Sequence, residues 1–384
     1  MNKALLDLNY FDVYQGILTP VILLVGLIFC LFYTPKNIRD LVIASTLYSW
    51  HTIISIYRWR GSTSGPSVDS TFYFRRSFIE NLTLYPGTRF TEYLTFIIRD
   101  FLDANYLNVT LVFNIIGSLG IIYFYLSLKP HLLKLPNYFI ILLFLPSISY
   151  WSGSIGKDGI ATLATCLFLY SLVKNKPRNS ITLISIFFMF MVRPHVALAM
   201  MIAITIYFII RSNVHLILKV ISLPILLGAT TMALIFTSEF AGLEETSLDG
   251  IGDYYESREG VNAQGGGAID TRSMSLPMKI FSFIFRPLPF EANSIISFLS
   301  GLESLFLLLL FIYIILKSNL QLKLFVKDRN LLLLIYITVA SIMLSFALSN
   351  LGIAARQKWQ FLPCLIYLFI YQYANYSKNK ASNS

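Results

Sequence analysis

Three clusters of ionisable residues border long apolar runs in this sequence. Lys157-Asp158 precedes one run, Arg193-Pro194-His195 separates two runs, and Arg356-Gln357-Lys358 precedes another. Charge at membrane depth is costly, so such groups are usually paired, face a polar cavity or serve a function. Because cations predominate in the clusters, we expect them to bind an anion that is carried by a lipid.

The first two clusters lie at predicted helix starts. Proline suits the first helical position and pushes Arg193 into extended backbone, so a guanidinium and free backbone N–H groups should meet at one phosphate-binding spot. His195 is either an acid/base group or a simple hydrogen-bond partner. Asp158 is either a catalytic acid or a helix cap. Lys157 opposes the helix dipole, so we expect it to face an acid or an anion.

A second Arg-Pro sequence, Arg286-Pro287-Leu288-Pro289-Phe290-Glu291, precedes another apolar run. Glu291 lies just before that run and Glu303 lies inside it. These glutamates either pair with nearby arginines or, in the case of Glu291, activate a sugar hydroxyl. Asp69 and Tyr73 are candidate sugar contacts.

The cations Arg356 and Lys358 have no acid near them in the sequence. They bind either the substrate anion or lipid headgroups.

The composition indicates a polytopic helical membrane protein. Of 384 residues, 56% are hydrophobic and 13% are charged, whereas about 25% is usual in soluble domains. We predict an all-α transmembrane bundle, residues 1–384 forming one integral membrane domain. About eleven spans are predicted, near 14–33, 41–57, 106–127, 137–152, 158–173, 180–192, 194–210, 215–237, 294–316, 331–349 and 359–375.

The connections between these spans alternate in charge. The short connections and the tail hold 15 of the 30 lysines and arginines but only two acids, Asp40 and Asp328. The positive-inside rule places them in the cytoplasm, with the N-terminus outside and the C-terminus inside. Two long loops, 58–105 and 238–293, are then extracytoplasmic. Part of the aromatic and arginine-rich stretch 70–101 is expected to form an interfacial helix.

Several classes of chemistry lack a signature here. The sequence has no Walker lysine motif, H-E-x-x-H, Cys-x-x-Cys or Gly-x-Ser-x-Gly, so nothing indicates ATP, zinc or serine-hydrolase chemistry. We therefore predict no cofactor and no metal. The net charge of +10 follows membrane topology rather than a basic soluble face, so no nucleic-acid partner is expected.

The motifs together resemble those of bacterial repeat-unit polymerases for O-antigen and capsule (Wzy-type). The resemblance covers most of the chain in span count and motif order. It rests on Pro146 to Gly153 with Gly156-Lys157-Asp158, on Arg193-Pro194-His195, on Arg286 to Glu291, and on Asn350 through Arg356 to Pro363.

The resemblance implies a glycosyltransferase of the bacterial cytoplasmic (inner) membrane that joins oligosaccharide units carried on undecaprenyl pyrophosphate. The growing glycan would pass from its lipid carrier to a new lipid-linked unit on the extracytoplasmic face. We expect Arg193 and Arg356, with Lys157 or Arg286, to hold the pyrophosphate, and Glu291 or His195 to deprotonate the acceptor. Membrane lipids are further expected partners. Whether the protein also works with a chain-length-regulating protein stays open.

Three other functions remain open. An O-antigen ligase would use the same donor with a different acceptor. A glycosyltransferase that uses a lipid-phosphate sugar would normally carry an acidic motif in its first outer loop, whereas the connection after the first span here is short and basic. A transporter or flippase for the lipid-linked oligosaccharide would line a path across the full membrane depth with charge.

Overall fold

The computed structural model describes residues 3–64, 68–79, 82–174, 179–211, 224, 228, 267–271, 273–318, 321–346, 348 and 350–382. Within these ranges the protein is all-helical, and the only β interaction is an isolated bridge between Ala268 and Asn350. The α-helices are α1 (Val13–Phe32), α2 (Ile38–Ser64), α3 (Asp69–Arg76), α4 (Thr88–Leu102), α5 (Tyr106–Leu132), α6 (Pro146–Ser152), α7 (Lys157–Val173), α8 (Asn179–Val192), α9 (Pro194–Arg211), α10 (Leu276–Phe285), α11 (Ile295–Ser318), α12 (Leu322–Phe325), α13 (Asn330–Phe346), α14 (Leu351–Gln357) and α15 (Leu362–Ser382).

The chain divides into two compact units. Unit 1 comprises Met1–Lys129 and Tyr138–Arg193, and unit 2 comprises Pro130–Asn137 and Pro194–Ser384. Helix α7 lies at the centre of unit 1, since nearly all of its residues from Asp158 to Ser171 are buried. In unit 2, α13 packs against α9 and α10, and α15 packs against α11.

Four described helices are long and apolar enough to cross a membrane: α1, α5, α9 and α11. Shorter apolar helices, such as α8 and α13, occupy other predicted spans. The predicted all-α class is confirmed, whereas the count of about eleven spans stays a prediction. The predicted span 215–237 and the first part of the second long loop, 238–266, lie outside the described residues apart from Pro224 and Gly228.

The predicted span 137–152 is divided in two. A 3₁₀ segment, Asn137–Leu143, is followed by α6, which begins at Pro146. Leu145 has the extended backbone that a following proline requires (φ −59°, ψ 124°). The break therefore follows from Pro146, and it separates α6 as a short helix with its own orientation.

Helices α2 and α5 pack antiparallel along their length with polar side chains between them. At one end Asp40 accepts hydrogen bonds from Tyr125 and Lys129. Near the middle Asn114 donates to Thr52 (2.9 Å), and at the other end the hydroxyls of Ser62 and Tyr106 lie 2.8 Å apart. Hydrogen bonds of this kind hold membrane helices together because lipid provides no hydrophobic drive for helix association.

Gly117 of α5 allows α6 and α2 to approach closely. A Cβ atom at Gly117 would lie 2.5 Å from the Ser152 carbonyl oxygen and 2.7 Å from His51 Nε2. Both distances are below van der Waals contact, and the first involves backbone that cannot rotate away. This position therefore requires glycine for packing reasons.

We predict that Gly117→Ala destabilises the protein by about 1–3 kcal/mol, because overpacking forces backbone shifts. The matched control is Gly61→Ala on α2, where no atom lies within 4 Å of the added Cβ. That control should gain up to about 1 kcal/mol from helix propensity. Denaturant unfolding in detergent measures both effects, and equal stability of the two variants would contradict the packing.

Candidate functional site

Three helices of unit 1 converge through two side-chain contacts and one close approach of an aromatic ring to backbone. Lys157 at the start of α7 donates to the Thr88 hydroxyl at the start of α4 (Nζ to Oγ1, 2.9 Å). Arg76 at the end of α3 forms an ion pair with Glu92 of α4 (Nε to Oε1, 3.4 Å). A Cβ atom added at Gly156, directly before α7, would lie 3.8 Å from Cε2 of Tyr73 on α3. We call Tyr73, Arg76, Thr88, Glu92 and Lys157 the three-helix site.

Helix periodicity explains how these side chains meet. Residues three or four apart share a helix face, with Cβ atoms about 5–6 Å apart. Tyr73 and Arg76 therefore share one face of α3, and Thr88 and Glu92 share one face of α4. The predicted first outer loop thus supplies two helices to the site. Helix α4 lies within the stretch 70–101, and its interfacial position stays a prediction.

Helix α4 begins at a glycine that is fixed to a neighbouring helix. Gly87 has φ 89°, in the left-handed region that favours glycine, and its N–H donates to the Met191 carbonyl near the end of α8 (2.7 Å). This hydrogen bond positions the start of α4 beside the segment that leads to Arg193.

The site has a positive electrostatic character. Each helix N-terminus carries roughly half a positive charge, and Lys157 lies at the starts of both α7 and α4. The Lys157 side chain is half-buried. A bound anion would be stabilised by both dipoles and the ammonium group.

The predicted anion ligand Arg193 forms a buried ion pair. Its Nη2 lies 2.5 Å from Asp158 Oδ1, and both side chains are only 8% exposed. The fold thus brings the Arg193 guanidinium and the predicted catalytic Asp158 together at the start of α7. Anion binding by Arg193 and catalysis by Asp158 stay predictions.

Helix α6 of the first motif is held by residues that the sequence analysis missed. Arg58 of α2 donates to the Tyr150 carbonyl, and its guanidinium lies 4.8 and 4.7 Å from the ring centroids of Tyr150 and Trp151. Ser55 donates to the Gly153 carbonyl. Cation–π contacts and hydrogen bonds therefore fix the motif from α2.

In unit 2, both carboxylate oxygens of the predicted base Glu291 accept hydrogen bonds. One carboxylate oxygen accepts from the Arg286 guanidinium, and the other accepts from the Leu288 N–H (2.7 Å). Burial alone would raise the pKa of Glu291, but the hydrogen bonds from Arg286 and Leu288 hold it below its usual value. Arg286 and Glu291 thus form the ion pair that the sequence left as one of two alternatives.

Lys358 is fully buried in unit 2, in the 3₁₀ turn before α15. Its ammonium donates to Ser304 Oγ (2.8 Å) and lies 3.4 Å from the Ile284 carbonyl. Burial lowers the pKa of Lys358 to about 8, although nearby Glu303 acts in the opposite direction. No acid lies near Lys358 in the sequence, but the fold brings Glu303 close to it.

Three predicted residues lie at or near the surface of their own units. Asp69 is the exposed first residue of α3, one turn before Tyr73. His195 is half-buried in the first turn of α9, and Arg356 is half-buried in the last turn of α14. Because unit 1 ends at Arg193 and unit 2 resumes at Pro194, the second motif is divided between the units.

Arg76, Thr88 and Glu92 were not predicted from the sequence. One available signal was the spacing Thr88, Thr91, Glu92, Thr95 and Arg99, which places polar residues on one face of an otherwise aromatic and aliphatic helix. That face is buried except for the half-buried Thr88. The pairing of Arg76 with Glu92 depends on tertiary packing and had no sequence signal.

Comparison with known proteins does not identify a family for this chain. No protein-family model matches this chain, and searches of characterised proteins and of solved structures find no similar protein. In the described part of the chain, no group of three His, Cys, Asp or Glu residues could hold a metal ion.

We predict that Arg193→Met costs about 3–5 kcal/mol, because it leaves the buried Asp158 carboxylate unpaired. Asp158→Asn should cost a similar amount, and the double variant should recover part of the loss. Unfolding free energies in detergent give this double-mutant cycle. Strictly additive losses would show that the two groups do not interact.

We predict that Lys358 makes stability depend on pH. A folded-state pKa of about 8 lies below the unfolded value of about 10.4. The unfolded chain therefore binds more protons between these values, so stability should rise as pH increases from 8 to 10. Unfolding midpoints of wild type and Lys358→Met measure this rise. A wild-type slope no steeper than that of the variant would contradict it.

Proposed function

We propose that this protein polymerises undecaprenyl-pyrophosphate-linked oligosaccharides at the extracytoplasmic face of a bacterial inner membrane. The observation that carries the proposal is the placement of Lys157 at the beginnings of two helices, α4 and α7. A lysine at such a position suits a multiply charged phosphate group. A pyrophosphate leaving group needs this stabilisation as its bond to the sugar breaks.

The contacts of unit 1 support the proposed topology. Asp40 and Lys129, both predicted cytoplasmic, contact each other. Segments predicted to be extracytoplasmic also meet: α4 contacts Lys157, and the α3 residue Ser70 accepts from Tyr106 (2.8 Å). About eleven spans with the N-terminus outside account for this sorting.

Lys157 is assigned to the pyrophosphate of the donor. Polymerisation requires two lipid-linked substrates to be held at once, so more than one cation site is needed. Within unit 2, Arg356 and His195 are both half-buried and stay predicted contacts of a lipid-linked substrate.

We predict that Lys157→Gln reduces polymerisation by about 100- to 1,000-fold, the range typical for loss of a transition-state charge donor. The assay incubates purified protein with a lipid-linked repeat unit and resolves the ladder of products. Lys174→Gln is the matched control, because Lys174 follows the opposite end of α7 and lies over the Tyr170 ring. The control should give a normal ladder.

A normal ladder from Lys157→Gln would contradict the site assignment. A wild-type protein that makes no ladder would contradict the proposed activity. If wild type instead attaches glycan to a lipid acceptor without lengthening it, the protein is a ligase that uses the same donor.

A transporter is the second candidate, because polar groups follow α2 from Asp40 to Ser62. Among these residues of α2, His51 is fully buried, and neither of its ring nitrogens has a hydrogen-bond partner among the described residues. Ionisable groups inside a membrane often mark a transport path. Movement of the lipid-linked unit between leaflets of a vesicle, without lengthening, would favour this function.

A further inference from the structure

The buried carboxylates of this protein differ in how well they are bound. Asp158 is bound by Arg193 at 2.5 Å, and both oxygens of Glu291 accept hydrogen bonds. Glu92 is only 4% exposed, yet the only hydrogen bond recorded for its carboxylate among the described residues is a 3.4 Å contact from Arg76 Nε. This distance is long for an N–H···O hydrogen bond. Glu92 therefore retains capacity to accept another proton donor.

The group that pairs with Glu92 is half-exposed. The Arg76 side chain is 46% exposed and occupies the last residue of α3. Arginine binds phosphate groups through paired hydrogen bonds that are stronger than a single long contact. An incoming pyrophosphate would thus draw the guanidinium away and uncover the Glu92 carboxylate.

Glu92 also lies next to the proposed pyrophosphate position. It is one helical turn beyond Thr88 on the same face of α4, so their Cβ atoms are about 5–6 Å apart. Thr88 holds the Lys157 ammonium at 2.9 Å. A leaving group at Lys157 and an acceptor hydroxyl at Glu92 would therefore occupy neighbouring positions.

We propose that Glu92 is the general base that deprotonates the acceptor sugar hydroxyl, and that Arg76 covers it until the donor pyrophosphate binds. This inference rests on the proposed polymerase function. The acceptor oxygen forms a bond to the anomeric carbon of the donor, and its proton passes to the Glu92 carboxylate. The bond from that carbon to the pyrophosphate oxygen breaks, and the electron pair leaves with the pyrophosphate. Lys157 stabilises the departing charge, and Arg76 holds the pyrophosphate equally before and during the reaction.

The test compares Glu92→Gln with Arg76→Gln in the purified full-length protein, with a lipid-linked repeat unit as substrate. Glu92→Gln should lower kcat by at least about 100-fold, as expected for loss of a general base, and leave the KM for the donor within about threefold. Arg76→Gln should raise that KM and keep kcat within about tenfold, because it removes donor binding but not the base.

Asp100→Asn is the matched control, since Asp100 lies on α4 with a side chain that is 65% exposed. It should keep wild-type kcat and KM. A purely structural ion pair predicts a different pattern: Glu92→Gln and Arg76→Gln would lower melting temperature and activity together, without a split between kcat and KM. That pattern would overturn the inference.

If Glu92→Gln does not fold, Glu92→Asp replaces it. The shorter side chain keeps the charge but withdraws the carboxylate by about one bond length, ~1.5 Å. A reduced kcat with unchanged KM supports the inference, and a wild-type kcat overturns it. If the wild-type protein makes a normal ladder and Glu92→Gln is fully active, only the assignment of Glu92 as general base is refuted. If the wild-type protein makes no ladder, the polymerase function is refuted, and the assignment of Glu92 with it.

Discussion

The ammonium group of Lys157 lies where α4 and α7 both begin, and its hydrogen bond to Thr88 joins the two helices. Both helix dipoles place positive charge at this point, which favours negative charge nearby. The Asp158 carboxylate, one residue after Lys157, pairs with Arg193. The interaction that joins the helices thus also concentrates positive charge at their starts, and the proposed anion site rests on that concentration.

Two helices of unit 1 bury polar side chains beside the apolar core. Helix α2 buries Thr52, Ser55 and Ser62, while Ile53 and Tyr57 are exposed. Helix α4 buries Glu92 and exposes Phe101. Lipid is as apolar as leucine, so helices in a membrane associate through close packing and interhelical hydrogen bonds. The polar faces of α2 and α4 bring polar side chains into the interior of unit 1.

Two charged side chains of unit 2, Arg286 and Lys358, are bound by groups of the same unit. Arg286 binds Glu291, and the Lys358 ammonium binds Ser304. Truncating one partner of a buried charge pair is costly because the other charge is left unsolvated. Loss of activity after replacing Lys358 would therefore combine a stability effect with any catalytic one. Unit 1 offers a clearer separation, because Arg76 is half-exposed and pairs weakly with Glu92.

The sequence by itself determined the helical class, the membrane-like composition and most helix positions, since apolar runs and prolines act locally. It also identified Lys157 as a cation in an unfavourable position at a helix start, which is a local electrostatic fact. Tertiary structure decided the partners. Arg193 and Asp158 are 35 residues apart in the sequence, and Arg76 meets Glu92 only because α3 packs on α4. Such pairings depend on how helices cross, and side-chain type and spacing do not encode that directly.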